Sequence, residues 1–129
     1  MHACFSVVGR QVATDVRIVH TPGHTAGSLC VMVDTACDTA LFSGDHLAYS
    51  ASKKGLDGFK RYNHGNVMVQ SASLRLLAQD GLPFTWILPG HGRMVKFGSV
   101  AEKNAAVAAA ADAFDKEDPM DGLFAVGYY

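Results

Sequence analysis

Three short strand-like runs in this chain each end in a glycine-bearing turn that carries a histidine or an aspartate. The first run, Asp15 to His20, leads into Thr21-Pro22-Gly23-His24-Thr25-Ala26-Gly27-Ser28. The second, Ala40-Leu41-Phe42, leads into Ser43-Gly44-Asp45-His46, and the third, Phe84 to Leu88, into Pro89-Gly90-His91-Gly92. Short β-branched runs bounded by such turns read as strands. A strand end is a rigid mount, and glycine lets the backbone turn sharply or approach a neighbour closely. A Gly-Asp turn or a lone His beside Pro-Gly is ordinary turn chemistry when taken singly. Three of them in series, all on strand ends, point to one site at one edge of a sheet.

The remaining chain fits a sheet with helices against it. Val7-Val8 and Ser28 to Val33 are further apolar runs. Runs of this kind suit a sheet covered on one or both faces. Ala51 to Gly65 is polar and glycine-bearing, which predicts a loop. A helix is predicted from about Asn66 to Asp80, with Asn66 as N-cap, Gly81 as its stop, and Val67, Leu74, Leu77 and Ala78 on one face. The alanine-rich stretch Glu102 to Phe114 predicts a second helix. The order of strands, helix, strand, helix places the chain in the α/β (α+β) class, with a mostly antiparallel or mixed sheet.

Composition narrows the function. At 129 residues, with 49% apolar and 18% charged residues, the chain has enough material for one small core. A formal net charge of −1 gives no electrostatic basis for binding nucleic acid or an anionic membrane. No apolar run is long enough to span a bilayer, so neither nucleic acid nor membrane is an expected partner. Cys4, Cys30 and Cys37 form neither a C-x-x-C site nor an even disulfide set. The expectation is a reducing intracellular compartment, cytoplasm or plastid. The opening Met-His-Ala-Cys-Phe has no basic region before an apolar core, so no signal peptide is expected. It also has no polar lead-in, which fits an internal methionine of a longer protein.

The three turns resemble the later motifs of the metallo-β-lactamase superfamily: Thr-Pro-Gly-His-Thr-x-Gly-Ser, then a strand ending in Gly-Asp, then Pro-Gly-His-Gly. The resemblance spans about Val16 to Val95. Leu41 to Tyr49, Phe59 to Asn63 and Trp86 to Arg93 look most like a plant and algal branch, in which a ferredoxin-like segment is sometimes joined to the hydrolase domain. The resemblance implies an αββα sandwich, of which this chain is the C-terminal half, over residues 1–117, followed by a tail at 118–129. It also implies that His24 binds a first metal ion, that Asp45 bridges, and that His91 binds a second. Zinc is the implied metal, with one or two ions in a complete domain, and iron suits the same donors. His46, Arg61, Tyr62 and His64 are candidates for supporting contacts or a substrate pocket. His20 reads as a strand residue, and His2 as structural or exposed. Lys53, Lys54, Lys60 and Arg61 read as a solvated basic loop more readily than as an anion site.

The sequence departs from the family at its main motif, since no His-x-His occurs in it and only 23 residues precede His24. The expected function is therefore a metal-dependent hydrolase acting on a small molecule, present as a partial domain that is weak or inactive alone. The alternatives are a non-catalytic interaction module and a di-iron redox member of the family. Half a sandwich exposes a face, so a second copy or a complementary chain is the expected partner.

Overall fold

A computed structural model describes residues 10–13 and 15–118. The expected strand at Val7-Val8, together with His2, Cys4 and the tail beyond Asp118, lies outside the described residues. Six strands form one sheet: β1 (Arg10–Ala13), β2 (Val16–His20), β3 (Leu29–Asp34), β4 (Thr39–Gly44), β7 (Trp86–Pro89) and β8 (Val95–Lys96), in the order β1-β2-β3-β4-β7-β8. All neighbours are antiparallel except β4 and β7, which run parallel. Parallel neighbours need a long crossover. Here it contains the hairpin β5 (Ala48–Ser50) and β6 (Gly55–Asp57), a 3-10 turn at Lys60–Tyr62, and helix α1 (Val67–Leu77). Helix α2 (Val100–Lys116) follows β8.

The sheet register sorts its side chains onto two faces. Arg17, Val19, Cys30, Met32, Leu41, Ser43 and Ile87 point inward and are buried. Leu74 and Leu77 of α1, Val107, Ala110, Ala111 and Phe114 of α2, and Leu47, Leu82 and Phe84 complete the core with the apolar members of that set. The opposite face is also apolar. One cross-strand row reads Val16, Val33, Ala40, Trp86, and the next reads Ile18, Val31, Phe42, Leu88. Neither helix packs on this outer face, and Phe42 stays 48% exposed. A sheet with both faces apolar is built to be covered on both.

Local signals decide most element ends. The Asn66 side chain accepts from the backbone of Met68 and Val69 and caps α1 as expected. The helix ends at Leu77, short of the predicted Asp80. Its freed carbonyls have a partner from α2: the Lys103 ammonium donates to Leu77 O at 2.8 Å and Gln79 O at 3.2 Å. Val67 is exposed, contrary to its expected place on the buried face. In the first half of α1 that face is polar, with Gln70 and Ser73 turned toward loops. Helix α2 begins at Val100, two residues before the predicted start, because Ser99 caps it through Glu102 N.

The predicted loop over Ala51 to Gly65 holds two short regular elements, β6 and the 3-10 turn. Two of its lysines are tied down. Lys53 lies 2.9 Å from both Asp57 and Glu117, and Lys60 donates to Glu117 O at 2.8 Å while lying over the Phe114 ring. They close the end of α2 onto the hairpin instead of forming a free basic loop.

Lys103 is fully buried, and its nitrogen sits 4.3 Å from the centre of the Phe84 ring. The two carbonyls and the ring favour its charged form. Burial works the other way and pushes its pKa down to about 8, with Asp80 opposing. Between pH 8 and the ordinary 10.5, the unfolded chain holds a proton that the folded chain lacks, so stability rises with pH across that window. Chemical denaturation of the wild type and Lys103→Met at pH 7 and pH 10 should show their difference moving toward the wild type by about 2 kcal/mol. A difference independent of pH would contradict this account of Lys103.

Candidate metal centre

The parallel pairing of β4 and β7 brings two of the three turns together. Gly44 lies opposite Pro89, and the Gly90 amide donates to Gly44 O at 2.8 Å. Asp45 and His91 therefore leave the same sheet edge side by side. A side chain at Gly90 would meet Asp45 Oδ1 at 3.1 Å and Gly44 O at 3.2 Å, so a hydrogen there keeps the approach open. Gly44 takes φ +54°, which turns the chain toward Asp45.

The third turn arrives from β2. Thr21 N donates to Ser28 O, and Gly23 N donates to Thr25 O, which folds the segment tightly around His24. His24 Nε2 stands 3.9 Å from Asp45 Oδ2, and His91 Nε2 stands 3.4 Å from Asp45 Oδ1. The two carboxylate oxygens thus face different imidazoles. His24 is largely covered, whereas the His91 side chain is 89% exposed. Among the described residues, no group of three or more His, Cys, Asp or Glu surrounds one common point. The arrangement is two pairs sharing Asp45.

A cleft of about 220 Å³ opens beside Asp45, lined by His24, Thr25, Ser28, Leu29, Ser43, Asp45 and His46. His46 is 2% exposed. Burial, with the neighbouring His24 adding to it, pushes its pKa down to about 4 and keeps the ring neutral. The Ser73 backbone draws it the other way, yet neither ring nitrogen meets a hydrogen-bond partner among the described residues. His24 Nδ1 is buried and unpartnered as well. Beneath the cleft, the Thr21 hydroxyl meets the Cys30 sulfur at 3.3 Å, and burial pushes that thiol up to about 11. Cys30 is thus an inert part of the floor.

The other candidates do not line the cleft. His64 packs edge-on against His24, with ring centres 5.6 Å apart, and its amide donates to His24 O at 2.8 Å. Arg61 stacks over Tyr62 at 4.7 Å, and neither lines the cleft. His20 is exposed on the outer face of the sheet. Arg93, just after the third turn, lies 3.7 Å over the Tyr49 ring.

Two residues that the sequence did not single out hold these parts in place. Gln70, fully buried on α1, donates to Gly58 O at 2.8 Å and His46 O at 3.3 Å. Its carbonyl accepts from Asn63 Nδ2, which also donates to Gly23 O at 2.7 Å. One amide pair therefore links the His24 turn, the His46 turn and the crossover. Nothing local marks Gln70, because a glutamine is an ordinary helix residue.

The sequence profile described as the metallo-beta-lactamase superfamily matches residues 5–91, which include all three turns. An uncharacterized protein of Mycobacterium leprae (strain TN) is 32% identical over 84 residues, covering 65% of this chain and 36% of that protein. Among solved structures, DIM-1 metallo-beta-lactamase exposed to ceftazidime matches with a TM-score of 0.51 at 15% identity, over 79% of this chain and 45% of its own. TMB-1 matches with a TM-score of 0.52 at 16% identity, over 83% of this chain and 47% of its own. At such identities the two structures establish the fold, and the chain spans less than half of each relative's length. The mixed sheet with two helices against one face is the expected architecture.

The tightest backbone approach at the site lies under His24. Gly23 has φ +142°, and a Cβ there would fall 2.2 Å from Gln70 Cα. Because the obstacle is helix backbone, it cannot swing aside. Gly23→Ala should lower the unfolding free energy by about 3 kcal/mol, from overpacking and backbone strain together. Gly27→Ala, where a Cβ meets nothing within 4 Å, should stay close to the wild type. Equal melting temperatures for the two variants would refute the close approach.

Proposed function

This chain belongs to the metallo-β-lactamase superfamily, and from that membership we propose that it is part of a metal-dependent hydrolase, with His24, Asp45 and His91 forming one wall of its metal centre. The observation carrying this reading is the split of Asp45, one of whose oxygens faces His24 Nε2 and the other His91 Nε2. Imidazole nitrogen and carboxylate oxygen are the donors that zinc accepts, and one carboxylate serves two ions when each oxygen faces its own. Iron accepts the same donors, so a di-iron redox role has the same residues at its base.

His24 would hold one ion and His91 the other, with Asp45 between them. A metal bound there supplies Lewis acidity and a water acidic enough to act as nucleophile near neutral pH. The chain's own residues mount the donors on strand ends, keep Gly90 clear of the carboxylate, and enclose His24 within the cleft. The neutral His46 and the Thr25, Ser28 and Ser43 residues bring polar groups to the cleft beside Asp45.

The donor set fits metal in kind and falls short in number. Catalytic zinc takes three protein ligands, and each side of Asp45 has one imidazole. The 129-residue sequence contains no His-x-His-x-Asp-His. The missing donors belong to a second wall, and the apolar outer face is where polypeptide carrying that wall would pack, either as further chain or as a partner. The same face favours the second reading, a non-catalytic module that binds through its sheet. Metal binding separates the two.

Titration calorimetry with zinc should show at most one weakly held ion, and Asp45→Ala should weaken its binding at least about tenfold. Hydrolysis of simple esters and lactams should be negligible. Two tightly held ions would overturn the one-wall reading. Zinc binding untouched by Asp45→Ala would remove the metal centre from these residues.

A further inference from the structure

We infer that Arg93 is a positioning residue for His91: stacked on Tyr49, it ties the His91 turn to the segment that carries Asp45 and so keeps the imidazole beside that carboxylate. The inference rests on the proposed metal centre for its effect on zinc, and on geometry alone for the placing of His91.

The turn needs an outside tie. The β7–β8 ladder ends at Ile87 and Val95. Residues 90–94 beyond it are all exposed, and the His91 side chain is 89% exposed. A loop with so little burial has little of its own to hold one arrangement. Before His91, Gly90 N donates to Gly44 O at 2.8 Å. After it, Gly92 turns at φ +89°, where a Cβ would stand 3.8 Å from Tyr49 O, and the Arg93 guanidinium lies 3.7 Å over the Tyr49 ring. His91 is therefore bracketed by contacts to a single neighbouring segment.

Tyr49 is a firm anchor. It lies in β5 opposite Leu56 of β6, between Ala48 and Ser50, which are both buried. Leu47, just before β5, is fully buried, and its carbonyl accepts from Ser43 Oγ at 2.6 Å. The ring thus stands on the chain that leaves the Gly44-Asp45 turn. Asp45 and Tyr49 share one segment, and His91 and Arg93 share the other. Carboxylate meets imidazole at 3.4 Å at one end, and guanidinium meets ring at the other. A guanidinium over an aromatic face is held by the ring's quadrupole and by flat stacking. Arg93 forms no ion pair among the described residues, so the ring is the contact that fixes it. The Arg61–Tyr62 stack differs, because it joins chain neighbours and ties nothing distant.

The test uses the full chain, with nitrogen-15 relaxation measured metal-free and zinc affinity measured on the same proteins. Wild type should show ordered amides at His91, Gly92 and Arg93. Tyr49→Leu and Arg93→Met should each lower their order parameters toward ~0.6. Both variants should weaken zinc binding about two- to fivefold, the scale of an exposed cation–π contact. Tyr49→Phe keeps the aromatic face and should match wild type in both readouts. The double variant should be no worse than either single one, because both remove the same contact. Unchanged order in Tyr49→Leu and Arg93→Met, or additive effects of the two, would overturn the inference. Lost order with unchanged affinity for bound zinc would overturn it too, since the stack would then be structural alone. If wild type binds no zinc while the order of the turn still depends on the pair, the metal reading fails and the placing of His91 by Arg93 stands.

Discussion

The parallel pairing of β4 with β7 is the constraint on which the rest of this structure depends. It sends the chain out of the sheet after Asp45 and brings it back to place His91 beside that carboxylate. An antiparallel pairing would have put the two turns at opposite edges. The crossover it requires is also the material that builds the site's walls. Asn63, His64 and Gln70 all belong to it, and they reach the His24 turn through a hydrogen bond, a ring contact and a close backbone approach. Alignment of the donors and enclosure of the cleft are thus consequences of one topological choice.

The same architecture is unfinished in a definite direction. Inward, the sheet is sealed by two helices that cross-brace each other, with Lys103 joining the end of one to the first turn of the other. Outward, two rows of apolar side chains run across four strands with neither helix over them. The donors at the strand ends are equally one-sided, with one imidazole for each oxygen of Asp45. On the proposed reading, a single covering layer would complete both the packing and the coordination. The match to less than half of each solved relative agrees with that asymmetry.

Much of this was legible in the sequence, for physical reasons that also mark where legibility stops. The strands and the three turns showed themselves because hydrophobic runs and glycine-bearing turns are local signals. Asn66 announced a helix start for the same reason. The early end of α1 did not, since the group satisfying its carbonyls is a lysine far along the chain. Val67 misled because helical periodicity cannot say that the first turn faces loops. The stretch from Ala51 to Gly65 looked like loop because its order comes from cross-chain anchors, with Lys53 and Lys60 bonded to the end of α2. Family resemblance pointed to His24, Asp45 and His91. The isolation of the His46 ring and the role of Gln70 required coordinates.

The Asp45–His91 contact has a consequence for how the chain acquires its site in time. The hairpins β2–β3 and β3–β4 close short loops and form early on general grounds, whereas β7 must return across the entire crossover before it finds β4. His91 therefore meets Asp45 only once this long-range pairing has formed. The donors cannot assemble in a half-folded chain. Any ion that needs both sides of Asp45 binds the finished fold alone and draws the folding equilibrium toward it by mass action. If the proposed metal centre forms, its geometry doubles as a test of completed folding.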